Sequence, residues 1–406
     1  MKLMRWSKIF ILIFFVLFHL ILIKFWPSEI KSLAGIFFFI YELTFLICFF
    51  LTLYKGYSVF LNTLMLLLFV NLFTDNISFN SKYNISSHLK SLEPNHYNRL
   101  EVIGDVMPGF SGVNTLSTDS KGYRTTKKIV YDDANKYRIF SVGGSTTVQV
   151  YVDDKETWTA HLENFLEANF NEGIETINTG VSGLRAVNHL ATLKYTESFH
   201  PDLYLFLVGV NDWNNHIVSS FKNIRRTLLY YFLNRARVII NFKNDSFSET
   251  KKNIIEKVNG DYYSSQNNSL EKNDRRTLNL EDVSKDYKIV MNKIAKKCNE
   301  NNYKCMFITQ PTAYSVQINE ELRSRLWMTP PNQNYTLDLK SLIQISNLYN
   351  YWLRVFSDSN NLLFCDLANK IEPSIKFLYD DVHFNENGSK KVAKVIAECI
   401  NHQLLK

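Results

Sequence analysis

The chain has 406 residues, of which 46% are hydrophobic and 14% aromatic, and it carries a formal net charge of +7 at pH 7. At about 150 residues per domain, this length predicts two or three structural units. Lys and Arg are scattered among Asn and Ser, so nucleic acid is not expected as a partner. Anionic lipid headgroups or acidic polysaccharide are compatible with the mild charge.

Hydrophobic residues concentrate in the first quarter of the chain. Three almost unbroken runs there approach the roughly 20 residues that cross a bilayer, namely Ile9–Ile23, Leu33–Tyr54 and Tyr57–Phe73. Residues 1–75 are therefore predicted to form an all-α membrane region with three transmembrane helices. A signal peptide is the alternative for the first run, but Lys24-Phe-Trp-Pro27 follows it instead of a small-residue cleavage site, so cleavage is not expected.

Basic residues set the predicted orientation of this region. They favour the start of the first run and the end of the second, with Lys2, Arg5, Lys8 and Lys55 against Lys24 and Lys31. The positive-inside rule then places the amino terminus in the cytoplasm and the chain after Asp75 outside it. We therefore expect a multi-pass protein of the bacterial cytoplasmic membrane, anchored in the lipid bilayer, with an extracytoplasmic soluble part.

Two ionisable residues, His19 and Glu42, lie within the apolar runs. Both are costly in lipid, so they are expected to face other helices. An interhelical hydrogen bond is favoured over a proton or substrate path, because one acid and one imidazole do not make a relay.

The soluble part contains Cys298, Cys305, Cys365 and Cys399. An oxidising compartment would permit disulfides between them, whereas Cys305 and Cys365 fall in apolar strand-like runs in which a free buried thiol packs well. The sequence leaves both states open. No Cys-x-x-Cys pair indicates a metal site.

Beyond the membrane region, the pattern changes at about residue 137. Residues 76–136 are polar and rich in turns, and they are predicted to form a lead-in with short strands that packs on the domain that follows. Residues 137–406 are regular, apart from a polar stretch at about 241–280 that is predicted to be a mobile insertion.

Strand-like and helix-like segments alternate in residues 137–406. The predicted strands are Arg138–Val142, Ile174–Asn178, Leu203–Gly209, Tyr303–Thr309 and Leu362–Asp366, and the predicted helices are Glu156–Phe170, Leu184–Phe199, Glu281–Asn299, Leu337–Phe356 and Gly388–Leu405. This alternation predicts an α/β domain with about five parallel strands and helices on both faces of the sheet.

Four short motifs lie where these strands end. Gly143-Gly-Ser145 follows the first strand, Asn178-x-Gly-x-x-Gly183 the second and Gly209-x-Asn-Asp212 the third, while Asp380-x-x-His383 lies between the last strand and the last helix. Each motif alone has an ordinary interpretation as a helix cap or a tight turn. Their joint order at the carboxyl ends of strands favours one shared site.

Ser145 is the predicted nucleophile of this site. A serine hydroxyl needs a neighbouring base, which His383 can supply, and Asp380 can hold the imidazole ring, with Asp381 as the competing orienter. The backbone N–H groups of Ser145 and Gly183 and the side-chain amide of Asn211 are the candidate oxyanion donors. Gly183 suits this task because no Cβ blocks a substrate.

These motifs resemble the four signature blocks of the SGNH, or GDSL-type, hydrolase superfamily, which contribute Ser, Gly, Asn and His in this order. The resemblance covers about Tyr137–Lys406, and Ser120-Lys-Gly-Tyr-Arg124 is similar to the lead-in of membrane-tethered bacterial members. It implies a flavodoxin-like three-layer α/β/α fold, favours Asp380 as the orienting acid, and implies no metal or organic cofactor. One departure is that Gly144 replaces the acid of the Gly-Asp-Ser motif.

The resemblance implies a serine ester hydrolase, an esterase or deacetylase that acts through an acyl-enzyme. The expected location makes O-acylated cell-envelope glycans or lipid-linked sugars the expected substrates. An O-acyltransferase with the same Ser-His-Asp site is the alternative, because an acyl-enzyme can also be discharged onto a sugar hydroxyl. A second alternative is a non-catalytic envelope assembly or binding protein, which has no physical need for Ser145, Asn211 and His383 together. Protein partners are not indicated.

Overall fold

The computed structural model describes residues 88–102, 107–110, 112–133, 135–167, 173–221, 255–258, 275–323, 325–326 and 335–404. The three predicted transmembrane runs, with His19 and Glu42, lie outside these ranges, as does most of the polar stretch at 241–280. Within the described ranges, no helix is both long enough and apolar enough to cross a membrane.

The described residues form strands and helices that alternate along most of the chain. The strands are β1 Tyr97–Val102, β2 Val113–Ser117, β3 Tyr137–Gly143, β4 Ile174–Asn178, β5 Leu203–Leu207, β6 Ile255–Val258, β7 Arg275–Arg276, β8 Lys304–Ile308, β9 Thr336–Leu337 and β10 Leu363–Cys365. The α-helices are α1 Ser145–Val148, α2 Trp158–Glu167, α3 Ala186–Thr196, α4 Val210–Phe221, α5 Lys285–Glu300, α6 Glu320–Arg323, α7 Leu339–Ser359 and α8 Glu386–Leu404. Short 3-10 helices cover Asp154–Glu156 and Glu197–Phe199.

A five-stranded sheet in the order β10-β8-β5-β3-β4 forms the centre of the fold. All of its neighbouring strands are parallel, which confirms the predicted α/β class and the five parallel strands. In the register, Gly143 of β3 lies opposite Leu207 of β5, and Leu207 lies opposite Ile308 of β8. The carboxyl ends of the three middle strands therefore meet at one edge.

Alternating side chains of β5 show why both faces of this sheet are covered. Leu205 joins an apolar cluster that includes Trp158 of α2 and Ile396 of α8. Phe206 points to the other face, where its ring stacks on Phe307 with centroids 4.9 Å apart. A strand buried on both faces is typically a continuous hydrophobic run, as Leu203–Leu207 is.

Helix α4 is an element that the sequence did not predict as a helix. The expected strand Leu203–Gly209 ends at Leu207, and α4 starts at Val210. The first turns of α4 are rich in Asn and Asp, which have low helix propensity. Tertiary packing supports the helix instead, because Trp213 and Ile217, one turn apart, are both buried.

A second, three-stranded sheet has the order β2-β1-β6, with β1 antiparallel to β2 and parallel to β6. Strands β1 and β2 belong to the lead-in, whereas β6 lies within the stretch at 241–280 that was predicted to be a mobile insertion. The structure describes a strand at Ile255–Val258 within this stretch, and its mobility stays a prediction. A strand of four residues is too short for a periodic signal, and its backbone pairing with β1 leaves no trace in composition.

Arg124 connects the lead-in to the segment that follows α1. Its side chain is 3% exposed, and its guanidinium donates hydrogen bonds to the carbonyl oxygens of Val148, Gln149 and Val152 at 2.6, 2.7 and 2.9 Å. A carboxylate oxygen of Asp154 accepts two more, at 3.0 and 2.6 Å. The arginine of the Ser120–Arg124 motif thus binds backbone carbonyls three to seven residues beyond Ser145.

Two disulfides pair the cysteines of the described residues, so the free-thiol alternative for Cys305 and Cys365 is wrong. Cys298 of α5 is bonded to Cys305 of β8, with Cα atoms 6.3 Å apart, and Cys365 of β10 is bonded to Cys399 of α8, with Cα atoms 5.7 Å apart. Burial in an apolar run does not distinguish a thiol from a disulfide, and only the approach of the partner decides.

Candidate active site

Ser145 lies on a tight turn between β3 and α1. A Cβ atom on Gly143 would lie 2.0 Å from Thr147 Oγ1, and a Cβ atom on Gly144 would lie 2.6 Å from Asn211 Nδ2. The two glycines therefore allow the turn to pack against its neighbours. Gly144 is the N-cap residue of α1 and Ser145 is the first residue inside the helix, so the Ser145 hydroxyl does not occupy the capping position.

The Ser145 hydroxyl instead contacts His383. Ser145 Oγ lies 2.8 Å from His383 Nε2, although the two residues are 238 positions apart in the chain. His383 Nδ1 lies 2.7 and 2.9 Å from the two carboxylate oxygens of Asp380. Because an ionised carboxylate only accepts hydrogen bonds, Nδ1 carries the proton and Nε2 accepts from Ser145.

Asp380, and not Asp381, is the acid that contacts the imidazole. Its side chain is fully buried, and Oδ1 also accepts hydrogen bonds from the N–H groups of Val382 and His383 at 3.0 and 2.9 Å. Asp381 is hydrogen-bonded to the Tyr314 hydroxyl. The spacing of three residues between acid and histidine thus identifies the contacting pair.

The surroundings of His383 raise its pKa above the ordinary value. Burial alone lowers this pKa, because it disfavours the charged imidazolium. The charge of Asp380, its hydrogen bond to the ring and the charge of Asp381 together outweigh burial. The site therefore stabilises the imidazolium that forms when Nε2 takes a proton.

Asn211 is the second residue of α4, and its side chain lies against the nucleophile turn. Asn211 Nδ2 donates to the carbonyl oxygen of Leu184 at 2.9 Å. Gly183, with φ of +78°, lies in the turn that Leu184 N–H closes onto the Val181 carbonyl at 3.3 Å. A Cβ atom on Gly183 would meet nothing within 4 Å, so the space beside its backbone is open.

The three candidate oxyanion donors thus belong to adjoining segments. Ser145 is the first residue of α1, so its N–H has no carbonyl partner within that helix. Asn211 carries a second amide N–H besides the one that Leu184 accepts. Gly183 precedes Leu184, whose carbonyl oxygen accepts the hydrogen bond from Asn211.

Asp212, which completes the third motif, has a different task. Its carboxylate accepts the N–H of Ala186 at the start of α3, at 3.0 and 3.3 Å. Burial raises the pKa of Asp212 to about 7, against the hydrogen bond from Ala186, which lowers it. The capping interpretation therefore fits Asp212, whereas the neighbouring Asn211 lies against the nucleophile turn.

Sequence reasoning missed Gln310, which follows β8 at the same edge of the sheet. The side chain is 1% exposed and lies between the nucleophile turn and the His383 segment. The available signal was its position directly after a predicted strand, where polar residues of doubly wound sheets collect.

Among the residues that the structure describes, no group of three or more His, Cys, Asp or Glu side chains could hold a metal ion. The absence of a metal and of an organic cofactor stays a prediction. The chemistry available at the site is that of Ser145, His383, Asp380 and the oxyanion donors.

A Ser-His-Asp arrangement at the carboxyl edge of a parallel sheet defines an α/β serine hydrolase. The sequence profile of the GDSL-like lipase/acylhydrolase family matches residues 139–396, and the chain belongs to this family. The prediction of an ester-hydrolysing enzyme is confirmed, and the alternative of a non-catalytic assembly protein is not supported.

Several solved structures are similar to this chain. An α/β hydrolase enzyme from the metagenome of Lake Arreo is 13% identical, with 65% of this chain and 96% of that one covered and a TM-score of 0.36. An acetylxylan esterase from Geobacillus stearothermophilus is 13% identical (65% and 94% covered, TM-score 0.35). A GDSL-like lipase from Bacteroides thetaiotaomicron is 14% identical (68% and 93% covered, TM-score 0.34). Comparison with curated proteins found no match.

Proposed function

We propose that the protein is a membrane-anchored serine esterase or deacetylase that acts through an acyl-enzyme, with Ser145 as nucleophile, His383 as base and Asp380 as the acid that orients it. The observation that carries this proposal is the continuous contact from Ser145 Oγ to His383 Nε2 at 2.8 Å and from His383 Nδ1 to Asp380 Oδ2 at 2.7 Å.

In the first half-reaction, Ser145 Oγ attacks the carbonyl carbon of the ester while its proton moves to His383 Nε2. The negative charge that develops on the carbonyl oxygen is stabilised by the N–H groups of Ser145 and Gly183 and by the amide of Asn211. The tetrahedral intermediate collapses, the proton on Nε2 passes to the leaving alkoxide, and the alcohol departs. An ester between the acyl group and Ser145 remains.

In the second half-reaction, His383 takes a proton from water as the water oxygen attacks the acyl carbonyl. The same donors stabilise the second oxyanion. Its collapse breaks the bond to Ser145 Oγ, which regains the proton from Nε2, and the carboxylic acid is released. Asp380 stays ionised throughout and stabilises the imidazolium in both halves.

The experiment that tests this assignment treats the full-length protein in detergent with a fluorophosphonate probe, beside hydrolysis of p-nitrophenyl acetate. Wild type is expected to be labelled and to turn over the ester, whereas Ser145→Ala is expected to lose both and His383→Ala to lose nearly all of both. Labelling that persists in Ser145→Ala would overturn the nucleophile assignment.

The membrane anchor is part of the same proposal. It is supported by the three apolar runs within residues 1–75 and by the excess of Lys and Arg at the ends assigned to the cytoplasm. The disulfides Cys298–Cys305 and Cys365–Cys399 support an extracytoplasmic catalytic domain, because disulfides persist in oxidising compartments. A reporter fused after Lys406 that is active only in the cytoplasm would contradict this topology.

The proposed substrates are O-acylated envelope glycans or lipid-linked sugars, since such esters lie beside an extracytoplasmic domain tethered to the bilayer. An O-acyltransferase is the second candidate. The observation that favours it is the restricted exposure of the base, because the His383 side chain is 13% exposed and its access to water is limited. Ester cleavage that yields acylated acceptor sugar, and little free acid, would identify the transferase.

A further inference from the structure

Gln310 contacts the chain neighbours of both residues of the Ser145–His383 pair. Its Oε1 accepts a hydrogen bond from the Thr146 hydroxyl at 3.1 Å. Its Nε2 donates to the carbonyl oxygens of Pro311 at 2.8 Å and Val382 at 3.3 Å. One buried amide thus joins the residue after the nucleophile to the residue before the base.

The backbone of Gln310 is itself fixed by α7. Asn350 Oδ1 accepts the Gln310 N–H at 2.9 Å, and Asn350 Nδ2 donates to the Gln310 carbonyl oxygen at 2.9 Å. With both backbone groups and both ends of the side-chain amide bonded, Gln310 has few conformations available. It can therefore transmit the position of the sheet edge to the segments that it contacts.

Such a connection matters because the pair is assembled from distant segments. Ser145 starts the short helix after β3, and His383 lies in a loop between β10 and α8, so no regular element holds both. Proton transfer requires the heavy atoms within hydrogen-bonding reach, and a misplacement of 1 Å can cost about 10²-fold in rate. A bridge between the two segments would restrict changes in this distance.

We propose that Gln310 is a positioning residue that holds Ser145, through Thr146, and His383, through Val382, at the separation that proton transfer needs. This inference rests on the proposed serine-esterase function. Gln310 itself does not contact the reacting atoms, and it acts through the two residues that it bonds.

The first test replaces the amide by an apolar side chain of similar length. Gln310→Met is expected to lower kcat for p-nitrophenyl acetate about ten- to a hundredfold, with KM changed less than threefold. The rate constant of fluorophosphonate labelling should fall in proportion. The contact with Asp380 raises the His383 pKa, and loosening the His383 segment weakens this contact. The His383 pKa should therefore fall, and the acid limb of the kcat/KM profile should move to lower pH.

Thr309→Val is the matched control for loss of a buried polar group. Thr309 precedes Gln310, is equally buried, and its hydroxyl serves Asp366 and Ala368 beyond β10 instead of the Ser145–His383 pair. We expect Thr309→Val to lower the melting temperature with less than a threefold change in kcat and an unchanged acid limb. A Gln310→Met variant that loses stability alone, with kcat and pH profile like those of Thr309→Val, overturns the proposal.

The second test does not depend on the folding of Gln310→Met. Thr146→Val conserves side-chain volume but removes the hydroxyl that donates a hydrogen bond to Gln310 Oε1. It is expected to lower kcat severalfold. Thr146→Ser, which keeps a hydroxyl, should recover most of that loss. In the Gln310→Met/Thr146→Val double variant the losses should be less than multiplicative, because both changes break one contact. A Thr146→Val variant with wild-type kcat, or fully multiplicative losses, contradicts the proposed route.

These outcomes are separable from failure of the proposed function. Only labelling and turnover that Ser145→Ala abolishes are compared among the variants. If Ser145→Ala remained fully active, the serine-esterase assignment would be wrong. The Gln310 variants would then be expected to have the activity of wild type. If Ser145→Ala is inactive and Gln310→Met is not impaired, the positioning role alone is wrong.

Discussion

Asp380 is the single residue that most strongly determines the protonation of His383. Its carboxylate is fully buried, lies 2.7 Å from Nδ1 and is held by two backbone N–H groups. Asp381 also raises the His383 pKa, but through its charge alone among the causes of the shift. The two neighbouring acids therefore differ in contact, and this difference can be measured.

Asp380→Asn is expected to lower kcat by about 10³–10⁴-fold, because the amide neither fixes the tautomer nor stabilises the imidazolium. Because the His383 pKa is raised in wild type, His383 becomes protonated, and can no longer act as a base, at a higher pH than an ordinary histidine does. Removing the Asp380 charge lowers this pKa, so the acid limb of kcat/KM should move to lower pH. Profiles of kcat/KM between pH 5 and 9 measure both effects.

Asp381→Asn is the matched control. It should move the acid limb in the same direction by a smaller amount, with a loss in kcat of less than about tenfold, since the contact between Asp380 and the ring remains. Equal losses in the two variants would show that contact is not what distinguishes the acids.

The sequence predicted the residues of the Ser145 site better than it predicted their supports. Ser145 and Asn211 were predicted because each follows a strand closely, and His383 because Asp380 precedes it by three residues. Gln310 was missed, since a glutamine is chemically unremarkable until its neighbours are known. Its importance depends on a contact with Thr146 across 164 positions of the chain, which no local pattern encodes.

Among the elements, the turn between β3 and α1 carries the proposed nucleophile, Ser145, whose N–H is also one of the candidate oxyanion donors. Gly144 replaces the acid of the Gly-Asp-Ser motif. The side-chain amide of Asn211 lies where a Cβ atom on residue 144 would come too close to it. The departure from Gly-Asp-Ser thus coincides with close packing of Asn211 on the turn.

Gly144→Ala is expected to lower kcat about 10²-fold, because the new Cβ would lie 2.6 Å from Asn211 Nδ2 and displace that donor. KM for p-nitrophenyl acetate and the melting temperature should change little. Gly112→Ala is the control, since a Cβ atom on Gly112, unlike one on Gly144, would meet nothing within 4 Å, and the positive φ of Gly112 makes the cost one of stability. A kcat close to that of wild type in Gly144→Ala would show that Asn211 can move without loss.

Arg124 of the lead-in stabilises the segment that follows α1. Arg124→Met should cost about 3–5 kcal/mol of unfolding free energy, because it leaves the buried carbonyls of the segment after α1 and Asp154 without their donor. Lys127→Met is the control on the same lead-in, since Lys127 is 40% exposed and its ion pair with Glu163 is worth about 1 kcal/mol or less. Urea unfolding of both variants measures the difference, and equal losses would contradict a structural role for Arg124.

Strand and helix prediction succeeded where periodicity was strong and failed where packing decided. β4 was predicted with its observed bounds, Ile174–Asn178, although only Ile174 and Ile177 of its five buried residues are apolar. Helix α4 and strand β6 were missed because α4 depends on burial of Trp213 and β6 on pairing with β1. Both are tertiary effects that propensity does not contain.

At the scale of the whole molecule, the two disulfides join the neighbouring strands β8 and β10 to the helices α5 and α8, respectively. Cys298–Cys305 closes a separation of 7 residues and Cys365–Cys399 one of 34. Loop-closure entropy then predicts stabilisation by about 2 and about 4 kcal/mol, respectively.

Replacing Cys365 and Cys399 by Ala should therefore lower the unfolding free energy more than replacing Cys298 and Cys305. Urea unfolding of the two double variants, with and without reductant, measures this order. The difference in unfolding free energy between wild type and the double variants should become smaller when the disulfides of wild type are reduced. An unchanged wild-type midpoint under reductant, with reduction verified by thiol titration, would contradict a stabilising role for either bond.

The separation of 238 residues between Ser145 and His383 also has a consequence for the newly made chain. At about 5–20 residues per second, the serine is synthesised roughly 10 to 50 seconds before its base exists. The strands β8 and β10 and helix α8 are also made late, so the sheet edge is incomplete during this interval. A polypeptide that ends before His383 therefore carries Ser145 without the base that the proposed mechanism requires.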